Sequence, residues 1–509
     1  MPSRLFFTLV AILALTLHLA AAEPPPRGFD IKAYGATGDG QTLDTDAINK
    51  AIAAATAAGG GTVYFPSGTF LSHSIHLASN IALYLDQGCI LQAAPAPENA
   101  GDPGYDPAEP NPDAANYQDF GHTHWHNSLI WGDGIQNISI LGPGQIYGPG
   151  LLRNGGERAG QGNKAISLKN CRNVTLRDFT MRQCGWFALL ATGVDNFTLD
   201  NIKVDTNRDG FDIDCCRNVH VSNCSVNSPA DDAIVLKSSF GLGFARACEN
   251  ITITNCQVSG FDVGSFLDGT YLATGRGATG RIKFGTESNG GFKNIAISNC
   301  VFVHCQGLAL ESVDGGLIED VSIDNITMRD IVSAPIFIRL GSRMRGPEGV
   351  PVGSIRRVNI SNIVVSNSSP SLGCIISGVP DHPIEDVRLS NIRIVYRGGG
   401  TKEQADMDPP ERENIYPEPS MFGTMPSYGL FARHVNHLSL DHVEVSYENE
   451  DLRAPFVLVD VNGAAFEHVK AQRADAVPFF QLWQVKDFST ESVSGVANMK
   501  QVAAEEASF

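Results

Sequence analysis

Asp209 and Asp231 each stand thirteen residues after the asparagine that opens a recurring phrase, Asn196 and Asn218, and Asp232 follows directly. A shared offset in successive repeats puts residues in one column. Adjacent rungs of a parallel sheet are about 4.8 Å apart, so the three carboxylates are expected to be neighbours. Acids this close cannot all ionise freely: at least one pKa rises, and the group can hold a protonated acid beside an ionised base. Glycosidic cleavage needs that pair, one carboxyl to protonate the leaving oxygen and another to activate water or attack. Calcium is the competing use, because Asp212 and Asp214 share the segment, and a solvated acidic ladder is the plain one. The same offset on the preceding rung gives Trp186, read as an aromatic that carries a sugar ring.

The elements that must position these acids are legible as repeats. The copies are Asn173-Val-Thr-Leu, Asn196-Phe-Thr-Leu, Asn218-Val-His-Val, Asn250-Ile-Thr-Ile and Asn294-Ile-Ala-Ile, continued from Asp320, Arg357, Asp386 and His437. The first steps are 23 and 22 residues (196 − 173 and 218 − 196), and later ones are longer. A base period near 22 with insertions suits one coil of a parallel β-helix and is too short for paired-helix repeats. The expected fold class is all-β, a right-handed parallel β-helix closed at its N-terminal end by a short helix. Thr45 to Ala58 has the helical spacing for that cap, which would cover bare interior and unpaired strand edges.

One column of the repeat reads Phe179, Ile202, Cys224, Cys256, Cys300, Ile326, Ile363, Ile392, Val443. Three cysteines where other rungs carry Ile read as small buried hydrophobes. Complete pairing of 11 cysteines is impossible, and a Cys171–Cys184 disulfide is the open alternative. The asparagines just before that column, from Asn201 to Asn391, are expected to turn a corner in left-handed geometry and to bond the same residue one rung away.

At 509 residues, 43% apolar and 18% charged, the chain can bury a large core. A net charge of −18 argues against a nucleic-acid partner or an anionic membrane surface. Residues 1–22 read as a secretory signal peptide: Arg4, the apolar run Leu5 to Leu19, then three alanines. Residues 23–509 are expected to form a single exported domain, secreted or periplasmic, acting as a monomer. Two polar, Pro-rich insertions, residues 95–126 and 398–428, are long enough to be walls or lids. His122, His124 and His126 beside Trp125 in the first are read as a cleft wall rather than a zinc site.

The segments Asn207-Arg208-Asp209-Gly210-Phe211-Asp212 and Ala230-Asp231-Asp232-Ala233-Ile234 resemble the Asn-x-Asp-Gly and Asp-Asp motifs of the family 28 glycoside hydrolases, the polygalacturonases and their rhamnogalacturonan-cutting relatives. The opening Phe29-Asp-Ile-Lys-Ala-Tyr-Gly and the segment Asn137 to Gly150 are similar to that group too, and the likeness spans residues 29–396. The resemblance implies a pectic polysaccharide or oligosaccharide substrate and an inverting mechanism without metal or cofactor. Asp231 would be the general acid, with Asp209 and Asp232 positioning and deprotonating the water. The family's Gly-His-Gly has no counterpart, since Ala278-Thr279-Gly280 lacks the His. Its Arg-x-Lys clamp is spelled by Arg281-Ile282-Lys283, one coil earlier than expected, and Ala309 and Glu311 stand at the expected place.

A uronate polymer approaching an anionic protein needs local cations. Lys237, Arg281 and Lys283 are the expected substrate contacts, with Arg339, Arg343 and Arg345 as further candidates. The expected activity is hydrolysis of galacturonosyl linkages from a chain end, because walls beside a groove and the missing motifs point to a differently shaped pocket. A calcium-using β-elimination lyase and a non-catalytic carbohydrate-binding β-helix are the alternatives.

Overall fold

Each coil folds as three short strands because apolar residues alternate with polar ones over five or six positions and then meet a turn. Phe187–Thr192, Asp195–Asp200 and Lys203–Asp205 form one coil; Asp209–Asp214, Arg217–Ser222 and Ser225–Asn227 form the next. The two stack in parallel, with Phe187 opposite Asp209, Asp195 opposite Arg217 and Lys203 opposite Ser225. The computed structural model describes residues 28–99, 101–273, 275 and 278–509. Among these, thirty-five strands wind into one continuous sheet, the parallel β-helix that the repeat spacing predicts. The expected signal peptide, residues 1–22, lies outside the described residues. No described helix is long and apolar enough to cross a membrane.

The interior is one apolar stack running from Ile31 to Val493. Cys224, Cys256 and Cys300 lie in it as expected, Cys300 directly above Ile326 and that in turn above Ile363. All eleven cysteines are buried free thiols, so Cys171 and Cys184 are not bridged.

The corners carry amide ladders. Asn201, Asn223, Asn255, Asn299, Asn325, Asn362 and Asn391 all have φ between 52° and 58°. Asn255 donates to Asn223 (3.3 Å), Asn325 to Asn299 (2.7 Å) and Asn391 to Asn362 (2.5 Å). On other rungs an Asp one residue earlier is the acceptor, as when Asn223 donates to Asp200 at 2.7 Å. The asparagines that open the repeats form a second ladder, Asn137 through Asn294, with amide contacts of 2.8 to 3.2 Å.

The N-terminal helix, Thr45–Ala57, buries Ala47, Ile48, Ala51, Ile52 and Ala55 over the open end of the stack. The far end is closed by a device the repeats do not announce. Met499–Ser508 folds back antiparallel on Phe480–Glu491 and occupies the last strand edge.

Candidate active site

The strands Phe187–Thr192, Asp209–Asp214, Ile234–Ser238, Ile282–Ser288 and Leu308–Ser312 stack on one face of the coil. Their inward residues, among them Phe211, Leu236, Phe284 and Leu310, belong to the core. The period of two therefore turns Leu190, Asp212, Val235, Lys283 and Ala309 outward in one register column.

Asp209, Asp231 and Asp232 meet at the leading edge of this face, with one oxygen of each within 4.8 Å of the others. The column differs by one residue from the expected one. Three residues separate Asp205 from Asp209, but four separate Asn227 from Asp232. The register accordingly runs Phe187 to Asp209 and, one coil on, Phe211 to Ile234. Asp209 thus aligns with Asp232, Asp231 sits on the extra turn residue, and Phe187 rather than Trp186 occupies the rung before.

The three carboxylates have different surroundings. Asp232 is 3% exposed; its Oδ1 accepts from Arg281 Nε at 2.8 Å, and Lys283 Nζ is 3.4 Å from Oδ2. Burial would raise its pKa, but the two cations outweigh burial and lower it. Asp231 is the most open of the three, its Oδ2 accepting from Arg208 Nε at 3.2 Å. Burial and the charge of Asp232 raise its pKa. Asp209 is buried, its Oδ2 accepts no hydrogen bond among the described residues, and burial, Asp231 and Asp212 push its pKa well up. The arrangement holds an ionised carboxylate next to protonatable ones.

A second layer of charge surrounds the acids. Lys237, expected to meet substrate, is instead buried: Nζ lies 3.0 Å from Asp212 and 3.4 Å from Glu287, and touches His122 Nε2. Lys283 also pairs with Glu311 at 3.4 Å. Arg281 is held by Gln306 and by both oxygens of Glu418. Arg343 grips Asp314 through Nε and Nη2, Arg345 pairs with Glu287, and Arg339 donates to Ser377 and to backbone carbonyls. Every expected substrate cation is therefore already paired or hydrogen-bonded within the protein. Trp186 departs from its expected role as well. Arg208 lies over its ring at 4.3 Å, Phe187 stacks beside it at 5.8 Å, and the backbone of Gly121 packs against it.

Both insertions reach this site. From the first, His122 sets Nδ1 against Asp119 at 2.5 Å and Nε2 against Asp212 at 3.1 Å. Burial and Lys237 oppose its cation, yet Asp119 raises its pKa to about 10. Trp125 packs with Trp186, Phe187 and Leu190 over the rungs before the acids. From the second, Glu418 holds Arg281, and the Tyr416 hydroxyl stands 3.5 Å from Lys283 Nζ. Met421, Phe422 and Met425 then cover Ala309, Phe337, Ile375 and Phe431 on the rungs after the acids. Between these two apolar covers Asp231 is the carboxylate of the trio that stays partly exposed.

Sequence reasoning missed Glu418 and Asp119, which come from the insertions and have no spacing signal, and Glu287, which lies on the strand Ile282–Ser288 but carries no sign of the cations it meets. His122 carried a signal, alternating histidines, but which carboxylate it meets depends on how the insertion docks. Among the described residues the aspartate trio is one of two groups with ligand atoms close enough for a metal ion; the other is Asp441, His442 and His468.

Residues 28–262 match the family model described as rhamnogalacturonase A/epimerase, pectate lyase-like. A probable polygalacturonase of Vitis vinifera is 23% identical over 386 residues, covering 71% of this chain and 73% of that protein. An exo-poly-alpha-D-galacturonosidase of Dickeya chrysanthemi is 27% identical over 339 residues, 60% of this chain and about half (51%) of the relative. The crystal structure of a hyperthermoactive exopolygalacturonase from Thermotoga maritima superposes with a TM-score of 0.58 at 16% identity, covering 96% of each chain, a likeness of fold.

Proposed function

We propose that this chain, which belongs to the polygalacturonase-like family 28 of the glycoside hydrolases, cleaves pectic polysaccharide by acid–base hydrolysis from a chain end. The observation that carries the reading is the adjacent pair of opposite bias: Asp231, half-open with a raised pKa, and Asp232, buried and held ionised by Arg281 and Lys283. Asp231 donates its proton to the glycosidic oxygen as the bond from the anomeric carbon breaks. Asp232, with Asp209, takes a proton from the water whose oxygen bonds to that carbon. The aspartate oxygens are close enough for one water to donate to two of them.

Inversion follows from that water. The spacing also favours a second reading, because paired carboxyls in inverting enzymes usually stand about 6.5–9.5 Å apart and retaining pairs about 5–5.5 Å. Inversion is preferred because both oxygens of Asp232 are engaged by cations, which blunts it as a nucleophile. Proton NMR of the first product distinguishes them: the opposite anomer supports the water route, and the same anomer replaces it with a covalent intermediate.

The chain-end mode is supported by the two apolar covers on either side of the acids. The relatives named for exo cleavage point the same way. On polygalacturonan, viscosity is expected to fall slowly relative to reducing-end release, and a rapid early drop with intermediate oligomers refutes this mode. The linkage is proposed as galacturonosyl, with rhamnogalacturonan as the substrate to compare, since the matching family model carries that name. Export rests on the signal-peptide reading of residues 1–22. Asp231→Asn is the central test: the fold is retained and the rate falls at least about 100-fold, the usual lower value of general acid catalysis. A variant keeping a tenth of the rate sinks the assignment.

A further inference from the structure

The corner that asparagine occupies on most coils changes character near the end of the stack. Ser390 lies opposite Asp441, and Asp441 opposite Glu467. The corner residue that follows each of these is therefore Asn391, then His442, then His468. The two histidines keep the left-handed turn, with φ of 53° and 54°, but replace a self-bonding amide ladder with imidazoles. Their rings stack at 4.4 Å and 21°. Both direct Nδ1 at a single atom, Asp441 Oδ1, at 2.6 Å from His442 and 3.3 Å from His468. The ligand atoms of all three residues fall within 4.8 Å of one another.

Two imidazole nitrogens and a carboxylate oxygen are the donor set of a borderline divalent cation such as zinc. Tetrahedral zinc with bonds of about 2.0–2.1 Å separates its ligand atoms by about 3.4 Å, which His468 Nδ1 already meets at 3.3 Å, while His442 Nδ1, at 2.6 Å, must draw back by about 0.8 Å to admit the ion. Arg388 is the competing cation, but it is exposed and lies 3.9 Å from the other oxygen, Oδ2, which leaves Oδ1 to the histidines. His442 and His468 side chains are 61% and 48% exposed, so an ion can enter and water can complete its shell. Glu467, one rung from Asp441, adds negative potential to a chain already at −18.

We propose that Asp441, His442 and His468 form a zinc-type divalent cation site that clips two successive coils together. It is separate from the three aspartates, which lie five to six coils away, roughly 24–29 Å along the axis. Because stacked coils fix the backbone, little ordering is needed on binding, and the ion stabilises the folded state alone.

The test uses the purified full chain and zinc chloride near pH 7. Equilibrium dialysis and thermal unfolding are compared for wild type, His442→Asn, His468→Asn and the double variant. Asparagine is the residue of the preceding coils, so the turn is retained, and the His437→Asn variant controls for loss of a histidine outside the cluster. The expected result is one zinc bound by wild type and by His437→Asn, with affinity at least about tenfold weaker in each cluster variant. Zinc is expected to raise the unfolding temperature of wild type and not of the double variant. Pectin hydrolysis without added metal should be the same in all. Absence of zinc binding to wild type, or equal affinity in the double variant, overturns the proposal.

Discussion

Lys283→Met tests the electrostatic division of the acid pair. Lys283 Nζ stands 3.4 Å from Asp232 Oδ2, and both groups are buried. At an effective dielectric of about 20, two unit charges at that distance interact by about 5 kcal/mol, a ceiling of about 3.6 pK units. Arg281 still donates to Oδ1, so the Asp232 pKa rises by less than that ceiling. Asp232 acts as an anion, so raising its pKa moves the acid limb of the kcat/KM profile to higher pH. Activity is lost first at low pH and recovers toward the wild-type plateau as pH rises. The companion effect on Glu311 is small, because burial holds its pKa up at about 8 even with Lys283 and Arg281 present, and it stays protonated at neutral pH. The assay is the pH dependence of reducing-end release from polygalacturonan, with circular dichroism to confirm folding. If Lys283 instead only bound substrate, kcat/KM would fall equally at every pH. An unmoved acid limb refutes the reasoning.

Glu311→Gln should alter stability with the opposite sign from an ordinary paired carboxylate. Glu311 is fully buried, and neither oxygen accepts a hydrogen bond among the described residues. Its folded pKa of about 8 exceeds its unfolded value, so the native state binds the extra proton and wild-type stability falls as pH rises from about 4.5 to 8. The Gln variant should lose less stability across that window in denaturant melts, and parallel wild-type and variant curves would exclude the shift. Cys224→Val, Cys256→Val and Cys300→Val should each cost about 1 kcal/mol or less, since Ile or Val fills the same column on later coils. Urea midpoints check this, and a loss of several kcal/mol would show that the thiols do more than fill volume.

The coil was legible in the sequence because a solenoid repeats one local solution. Asn at most corners, alternating apolar residues and a period near 22 each express a constraint felt within a single turn of chain. The nearness of Asp209 to the Asp231-Asp232 pair followed from the same periodicity. The register within that trio did not, because one extra residue in the turn before Asp232 moves Asp231 out of the column, and strand pairing rather than residue counting decides which neighbour wins. The partners of the cations were hidden for a different reason. Glu418 and His122 lie on insertions whose docking depends on apolar contacts such as Phe422 with Phe337 and Trp125 with Leu190, and those are long-range. A lysine or arginine in a sequence has no stated neutraliser, so Lys237, Arg281 and Lys283 read equally well as substrate contacts or as internal ion pairs. In the folded chain each is buried within reach of an ionised carboxylate, Lys237 beside Asp212 and Arg281 and Lys283 beside Asp232, because a buried cation without a counter-charge is too costly to keep.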